Sequence, residues 1–197
     1  MCETNSFRLW LIQVVVLSGL LALVLWLALR PKNLTYTVIS FSLPATSPVD
    51  PGDAQNSAIS FDLEIENPNN GYGIYYNGIN MTLYYNDDIL GETFLPDFYQ
   101  GKGKTKKISQ SINADGRFLK KIFTAISNAT AETRLGLATR IRFKSWTGKT
   151  KPHGMQLQGR IPVGSDGKIA GKKKIKLQHV SRKWKLRKSY SLHQYQS

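Results

Sequence analysis

A run of 21 residues without a charge, Leu9 to Leu29, limits this chain more than any other feature. Only Gln13 and Ser18 in it are clearly polar. As a helix rising about 1.5 Å per residue it spans roughly 31 Å, matching a hydrocarbon core about 30 Å thick. Trp10 and Trp26 sit near its two ends, where indole rings prefer the bilayer interface, and Arg30, Pro31 and Lys32 close it. A cleaved signal peptide has a shorter apolar region and small residues at its cleavage site, which Ala28-Leu29-Arg30 does not supply. A core helix is apolar along one stripe, whereas this run is apolar all round. The reading is a single transmembrane helix over 9–29, preceded by a short tail over 1–8.

Charge divides the remainder. The formal net charge is +14, yet residues 33–101 contain no Lys or Arg and nine acids, while 102–197 contain 24 basic residues and three acids. Halves of opposite sign neutralise each other when they pack, and a basic surplus is still left over. It concentrates from Lys168 to Lys188, ten basic residues without an acid. Lys172, Lys173, Lys174, Lys176, Arg182, Lys183, Lys185, Arg187 and Lys188 form a candidate polyanion-binding stretch. A solvated tail over 181–197 is the plain alternative. Anionic lipid headgroups or an acidic polysaccharide are the partners its charge suits, and a nucleic acid does not suit a membrane-tethered chain. Cys2 is the only cysteine, which excludes intramolecular disulfides and thiolate metal sites, and its place before the apolar run leaves juxtamembrane acylation open.

Past the anchor the periodicity is that of strands. Leu34–Leu43 alternates, and a Pro/Asp/Gly/Ser loop covers 44–56. In Ala58–Glu66, Ile59, Phe61, Leu63 and Ile65 alternate strictly with polar residues, which predicts a half-buried strand ended by Asn67-Pro68-Asn69. Tyr72–Tyr85 continues the pattern with a phase slip at Asn77-Gly78, so a bulge or tight turn is expected there. Strands follow over 89–95, 106–112, 134–146, 155–163 and 172–180. One helix is expected after Asn113-Ala-Asp115, with Phe118, Leu119, Ile122, Phe123 and Ile126 on one face. Seven or eight short strands with one short helix predict a mainly β chain, an antiparallel β-sandwich of immunoglobulin or fibronectin III type over 33–180. Asp62, Glu64 and Glu66 would pair across strands with Arg140, Arg142 and Lys144 if their strands are neighbours.

Reactive chemistry is not in evidence. His153, His179 and His193 have no metal-ligand spacing, no glycine-rich loop joins a strand to a helix, and Glu64 and Glu66 read as solvated charge. No enzyme activity and no cofactor is expected. Three sequons occur, at Asn33, Asn80 and Asn128; Asn33 is too near the apolar run, leaving Asn80 and Asn128 as candidate glycosylation sites.

The run Phe61-Asp-Leu-Glu-Ile-Glu-Asn-Pro-Asn69, then Gly73-Ile-Tyr-Tyr76, then Leu95-Pro-Asp-Phe-Tyr-Gln-Gly101, resembles the plant harpin-induced-like family. That family is related to the non-race-specific disease-resistance proteins and carries the late-embryogenesis-abundant type 2 domain. Arg140-Ile-Arg-Phe-Lys144 is similar to a later strand of the same family, and the resemblance covers about 9–165. Its motif residues here are Asn67, Pro68, Asn69, Pro96, Phe98, Tyr99 and Gln100, which read as strand-end and turn residues rather than as a binding site. The resemblance implies a β-sandwich with one helix, a plasma-membrane anchor and a defence or stress role without catalysis. The chain departs from it in lacking cysteines near Gln158 and in its rich basic tail. Arg8 against Arg30 and Lys32 leans toward a cytoplasmic domain, whereas the resemblance and the sequons imply an extracytoplasmic one, the reading adopted. The expected function is a surface-presented module making protein or cell-wall contacts. The alternative is a module that binds a lipid or other apolar molecule between its sheets.

Overall fold

The computed structural model describes residues 3–28, 30–44, 58–114, 116–128, 131–146, 148–171 and 174–180. The chain divides into two units, Met1–Lys32 and Asn33–Ser197. The first holds α1 (Glu3–Ala28), longer at its N-terminus than the apolar run; Leu29 lies outside the described residues. Within it, Phe7–Leu27 is long and apolar enough to cross a membrane. Its large side chains are exposed on every side, with Trp10 at 58% and Trp26 at 61%, so no protein core accounts for its composition. Arg30 closes the helix with its guanidinium 5.9 Å from the Trp26 ring centroid.

The second unit contains β1 (Thr35–Ser42), β2 (Ala58–Glu66), β3 (Gly73–Tyr85), β4 (Asp88–Leu95), β5 (Phe98–Gln100), β6 (Thr105–Asn113), α2 (Gly116–Asn128), β7 (Ala131–Ser145), β8 (Gly148–Lys149), β9 (His153–Val163), β10 (Ile175–Lys176) and β11 (Gln178–His179). Seven strands are long. The other four span two or three residues each. They form a four-stranded sheet in the order β10-β1-β2-β6 and a seven-stranded sheet containing β11-β9-β7-β3-β4, with β5 also on β3 and β8 also on β7. Among the described residues the pairings between named strands all run antiparallel, as in a two-layer sandwich. The sheet order establishes two packed layers without assigning them to the immunoglobulin or fibronectin type.

Alternation does what its chemistry requires. Ile59, Phe61, Leu63 and Ile65 of β2 are all buried, facing Ile74, Tyr76, Ile79, Met81 and Leu83 of β3 and Leu135, Leu137 and Ile141 of β7 across one core. Leu119, Ile122 and Ile126 of α2 join that core, as their helical spacing predicts. Asp115, the expected capping residue, lies outside the described residues. The phase slip in β3 is a bulge: register shifts between Asn77 and Ile79, with Gly78 at φ 61°. The Thr139 hydroxyl donates to the Gly78 carbonyl at 2.6 Å, so the carbonyl freed by the bulge is satisfied. A second bulge, between Val38 and Ser40, turns the buried set of β1 from Tyr36 and Val38 to Phe41.

Two expectations change. The strand foreseen over 172–180 divides into β10 on β1 and β11 on β9, one in each sheet. Between them Leu177 is buried and donates its N–H to the Tyr36 carbonyl at 2.8 Å. The acidic and basic strand faces are not neighbours either, because β2 and β7 belong to different sheets. Glu64 instead meets Lys174 at 3.3 Å and Lys107 at 3.9 Å. Asp62 accepts from Ser40 at 2.6 Å and also from Ser109, and these hydroxyls hold its carboxyl below the usual carboxylate range, Ser109 contributing most.

A candidate aromatic and cationic surface site

The motif pieces, far apart in sequence, meet at one end of the sandwich. β3 lies between β5 and β7 there, with Tyr75 opposite both Tyr99 and Arg142, and Tyr76 opposite both Phe98 and Ile141. Residues directly opposite share a face and successive residues alternate, so the Tyr76 rung turns toward the core and the Tyr75 rung toward solvent.

On the buried side, Tyr76 stacks on Phe98 with centroids 4.4 Å apart, and its hydroxyl donates to Gln100 Oε1 at 2.9 Å. Gln100 Nε2 donates to the carbonyls of Ile65 (2.9 Å) and Lys104 (2.6 Å), tying β5 to the opposite sheet. Asn67 Nδ2 donates to the carbonyls of Tyr72 and Gly101, while its Oδ1 accepts from the backbone and side-chain amides of Asn69. Asn67, Asn69 and Gln100 are almost wholly buried, and such groups stay inside a fold only when their bonds are made. These amides thus spend their bonds within the fold, tying together β2, β3 and β5. Pro68 is half-buried and Pro96 exposed. The Tyr36 hydroxyl is buried beside that of Tyr76 with no partner of hydrogen-bond geometry. Burial pushes both phenols well above the ordinary tyrosine value.

The outward side differs. Tyr75, Tyr76, Asn77, Asp97, Phe98, Tyr99, Arg142 and Lys149 line a surface groove of about 340 Å³. The Tyr75 and Tyr99 rings are tilted together, 4.7 Å between centroids. Lys149 Nζ lies 4.3 Å from the Tyr75 centroid, and Lys144 Nζ lies 5.9 Å from Tyr75 and 5.6 Å from Tyr99. Gly73 makes this packing possible, since a Cβ there would run into the Tyr99 phenol. Among the described residues neither Lys144, Lys149 nor Arg142 forms an ion pair, and Arg142 Nε is shut from solvent without a hydrogen-bond partner. Trp146, 91% exposed, lies just beyond this end of β7. Tyr99 is thus both a motif residue and an exposed one. That dual role was not legible from Phe98-Tyr99-Gln100 alone, because the residues facing it come from β3, β7 and β8.

The remaining sequence-predicted residues fall elsewhere. Asn80 is exposed on β3, with Thr82 next on the same face. Asn128 is the last residue of α2. Lys174 is paired with Glu64, and Lys176 is exposed opposite Thr37. Lys172, Lys173, Arg182, Lys183, Lys185, Arg187 and Lys188 lie outside the described residues. No group of three or more His, Cys, Asp or Glu among the described residues is placed to hold a metal ion. Two open surface grooves lie among the described residues, and the space between the sheets is filled by buried side chains. An apolar ligand between the layers would have to displace that packing.

Comparison with known proteins agrees with the motif cluster. The family described as late embryogenesis abundant protein matches residues 62–159, from β2 into β9. Protein NDR1 of Arabidopsis thaliana is 31% identical over 191 residues, covering 92% of this chain and 86% of the relative. NDR1/HIN1-like protein 3 of the same plant is 29% identical over 168 residues, covering 79% and 71%. NDR1/HIN1-like protein 2 is 31% identical over 162 residues, covering 76% and 65%. With NDR1 matched over most of both chains, and the shared motifs interlocked at one end of the sandwich, this chain belongs to the NDR1/HIN1-like family of late embryogenesis abundant domain proteins.

Proposed function

We propose that the chain is a non-enzymatic plant defence and stress protein held in the plasma membrane by α1, presenting its sandwich outside the cytoplasm for contact with a protein or the cell wall. The observation that carries this reading is the match to NDR1 over 92% of this chain, more than the unit Asn33–Ser197 supplies alone. Physical form agrees with it. A 21-residue apolar helix with every large side chain exposed needs lipid around it. A filled sandwich whose outward cations rest on aromatic rings is a contact surface rather than a reaction centre.

The test is fractionation of plant cells expressing the full chain, followed by surface biotinylation of intact protoplasts. The expected result is protein that stays in the membrane pellet after a carbonate wash and that accepts biotin from outside. Release by carbonate overturns the anchor. Labelling only after the cells are opened overturns the orientation.

A further inference from the structure

We propose that the groove beside Tyr99 binds a carboxylated sugar, a uronate unit of an acidic saccharide, with Arg142 taking its carboxylate. The ligand class follows from four features that no simpler ligand uses together. Arg142, Lys144 and Lys149 give this face positive charge with no acid paired to any of them among the described residues. Arg142 lines the groove without an ion pair among those residues, and a guanidinium is the side chain that suits carboxylate best; its Nε is shut from solvent, so the terminal nitrogens are the donors. Tyr99, 45% exposed, offers a ring face and edge for the apolar side of a pyranose. Asp97 and Asn77 also line the groove, and they supply acceptors for sugar hydroxyls.

Asp97 is what discriminates. Asp97 repels any anion, and an acidic side chain has no hydroxyl donor with which to offset that repulsion. A uronate carries hydroxyl donors next to its carboxylate and can use both charges. The groove, about 340 Å³, lies at the small end of the usual range for small-ligand sites, roughly 300–1,000 Å³. A few sugar units, rather than a long polymer, are therefore the recognised element. The site deepens the cell-wall branch of the proposed function and depends on the extracytoplasmic orientation for its biological use, but its chemistry can be tested whichever way the chain faces.

The experiment uses the full chain in phosphatidylcholine nanodiscs, with calorimetric titration of trigalacturonate, its methyl ester and a neutral galactose trimer. Trigalacturonate is expected to bind saturably, and the ester and neutral trimer at least about tenfold more weakly, the scale of one charge-assisted hydrogen bond. Arg142→Gln is expected to cost a similar factor. Lys149→Gln, at an exposed position, and Gly73→Ala, which displaces the Tyr99 phenol, are each expected to weaken binding severalfold with unchanged circular dichroism. They keep the test decisive where Arg142→Gln fails to fold. A chain ending at Val180 is expected to bind as the full chain does.

Several results overturn the site. They are binding that survives both Lys149→Gln and Gly73→Ala, binding lost with the tail alone, and equal affinity for inorganic phosphate. Competition by phosphatidylglycerol nanodiscs at equal charge would assign the face to lipid instead. Because no step of this titration depends on where the protein sits in a cell, a negative result here leaves the fractionation outcome standing, and the reverse also holds.

Discussion

Gln100 shows how much one side chain can hold. It accepts from Tyr76 and donates to two backbone carbonyls of different segments, all out of water. Gln100→Leu keeps the volume and takes a partner from the buried Tyr76 hydroxyl and the Ile65 carbonyl, while the Lys104 carbonyl keeps the Asn67 N–H. The expected loss is roughly 2–4 kcal/mol, read as a lower urea midpoint with an unchanged slope. Tyr36 is the opposite case, a buried hydroxyl without a hydrogen-bond partner, so Tyr36→Phe is expected to be neutral or stabilising by up to about 1 kcal/mol at pH 7. The two differ further in alkali. Burial raises the folded-state value of Tyr36 above the unfolded one near 10, so its contribution is intact below about pH 10 and is lost as pH climbs beyond it. Tyr36→Phe removes one such group while Tyr76 remains, so its stability advantage over the native chain should widen by about 1.4 kcal/mol per pH unit above pH 10. Denaturant midpoints across pH 8–11.5 check both the sign and the slope. From sequence these residues were visible only as polar or aromatic letters in a strand. Their roles depend on partners 24 to 40 positions away: Gln100 with Tyr76, Tyr36 with Tyr76.

At the scale of elements, legibility follows how local the cause is. β2 was readable to its ends because its alternation is unbroken and Pro68 stops it, and the β3 bulge was readable because Gly78 interrupts the phase. β5 was not readable as a strand, since three residues carry no period. The bulge at Ile39 was missed because nothing in Val38-Ile39-Ser40 marks an extra residue. The segment after Gly171 reads as one strand by its alternation, yet the chain crosses from one sheet to the other at Leu177, and only the packed core decides that. Gly159 confirms how closely Leu177 is seated, as a Cβ there would lie 2.5 Å from the leucine Cδ2. Leu177 therefore staples the free edges of β1 and β9. Leu177→Ala is expected to cost about 2–4 kcal/mol and to release both short strands together. Hydrogen exchange would show it as matched loss of protection at Leu177 and Val180, whose amides bond to Tyr36 and Gln156. Loss confined to one of them would mean that β10 and β11 are held independently.

Across the whole molecule the charge segregation has a partly structural answer. Acids of the first half meet bases of the second within the sandwich, Glu64 with Lys107 and Lys174, and Asp87 with Arg134 at 3.4 Å. These pairs are mostly exposed, each worth a few tenths of a kcal/mol to about 1, so they order the sheets more than they stabilise them. Among the described cations without an ion pair, Lys144 of β7 and Lys149 of β8 lie against the Tyr75 and Tyr99 rings rather than against acids. The orientation of the sandwich decides what such a surface can meet, and Asn80 offers an internal reporter. It sits mid-strand between Phe94 and Ala138, yet its side chain is exposed, so a glycan on it would project from the outer face without parting the sheet. Expressed in plant cells, the full chain is expected to lose mobility-shifting mass on endoglycosidase treatment. Asn80→Gln should remove one step of that shift, and Asn80→Gln with Asn128→Gln the whole of it. A chain that runs at the same position before and after the enzyme, while a glycosylated control in the same extract shifts, would place these sequons out of reach of the lumenal machinery and so turn the sandwich, with its cationic groove, toward the cytoplasm.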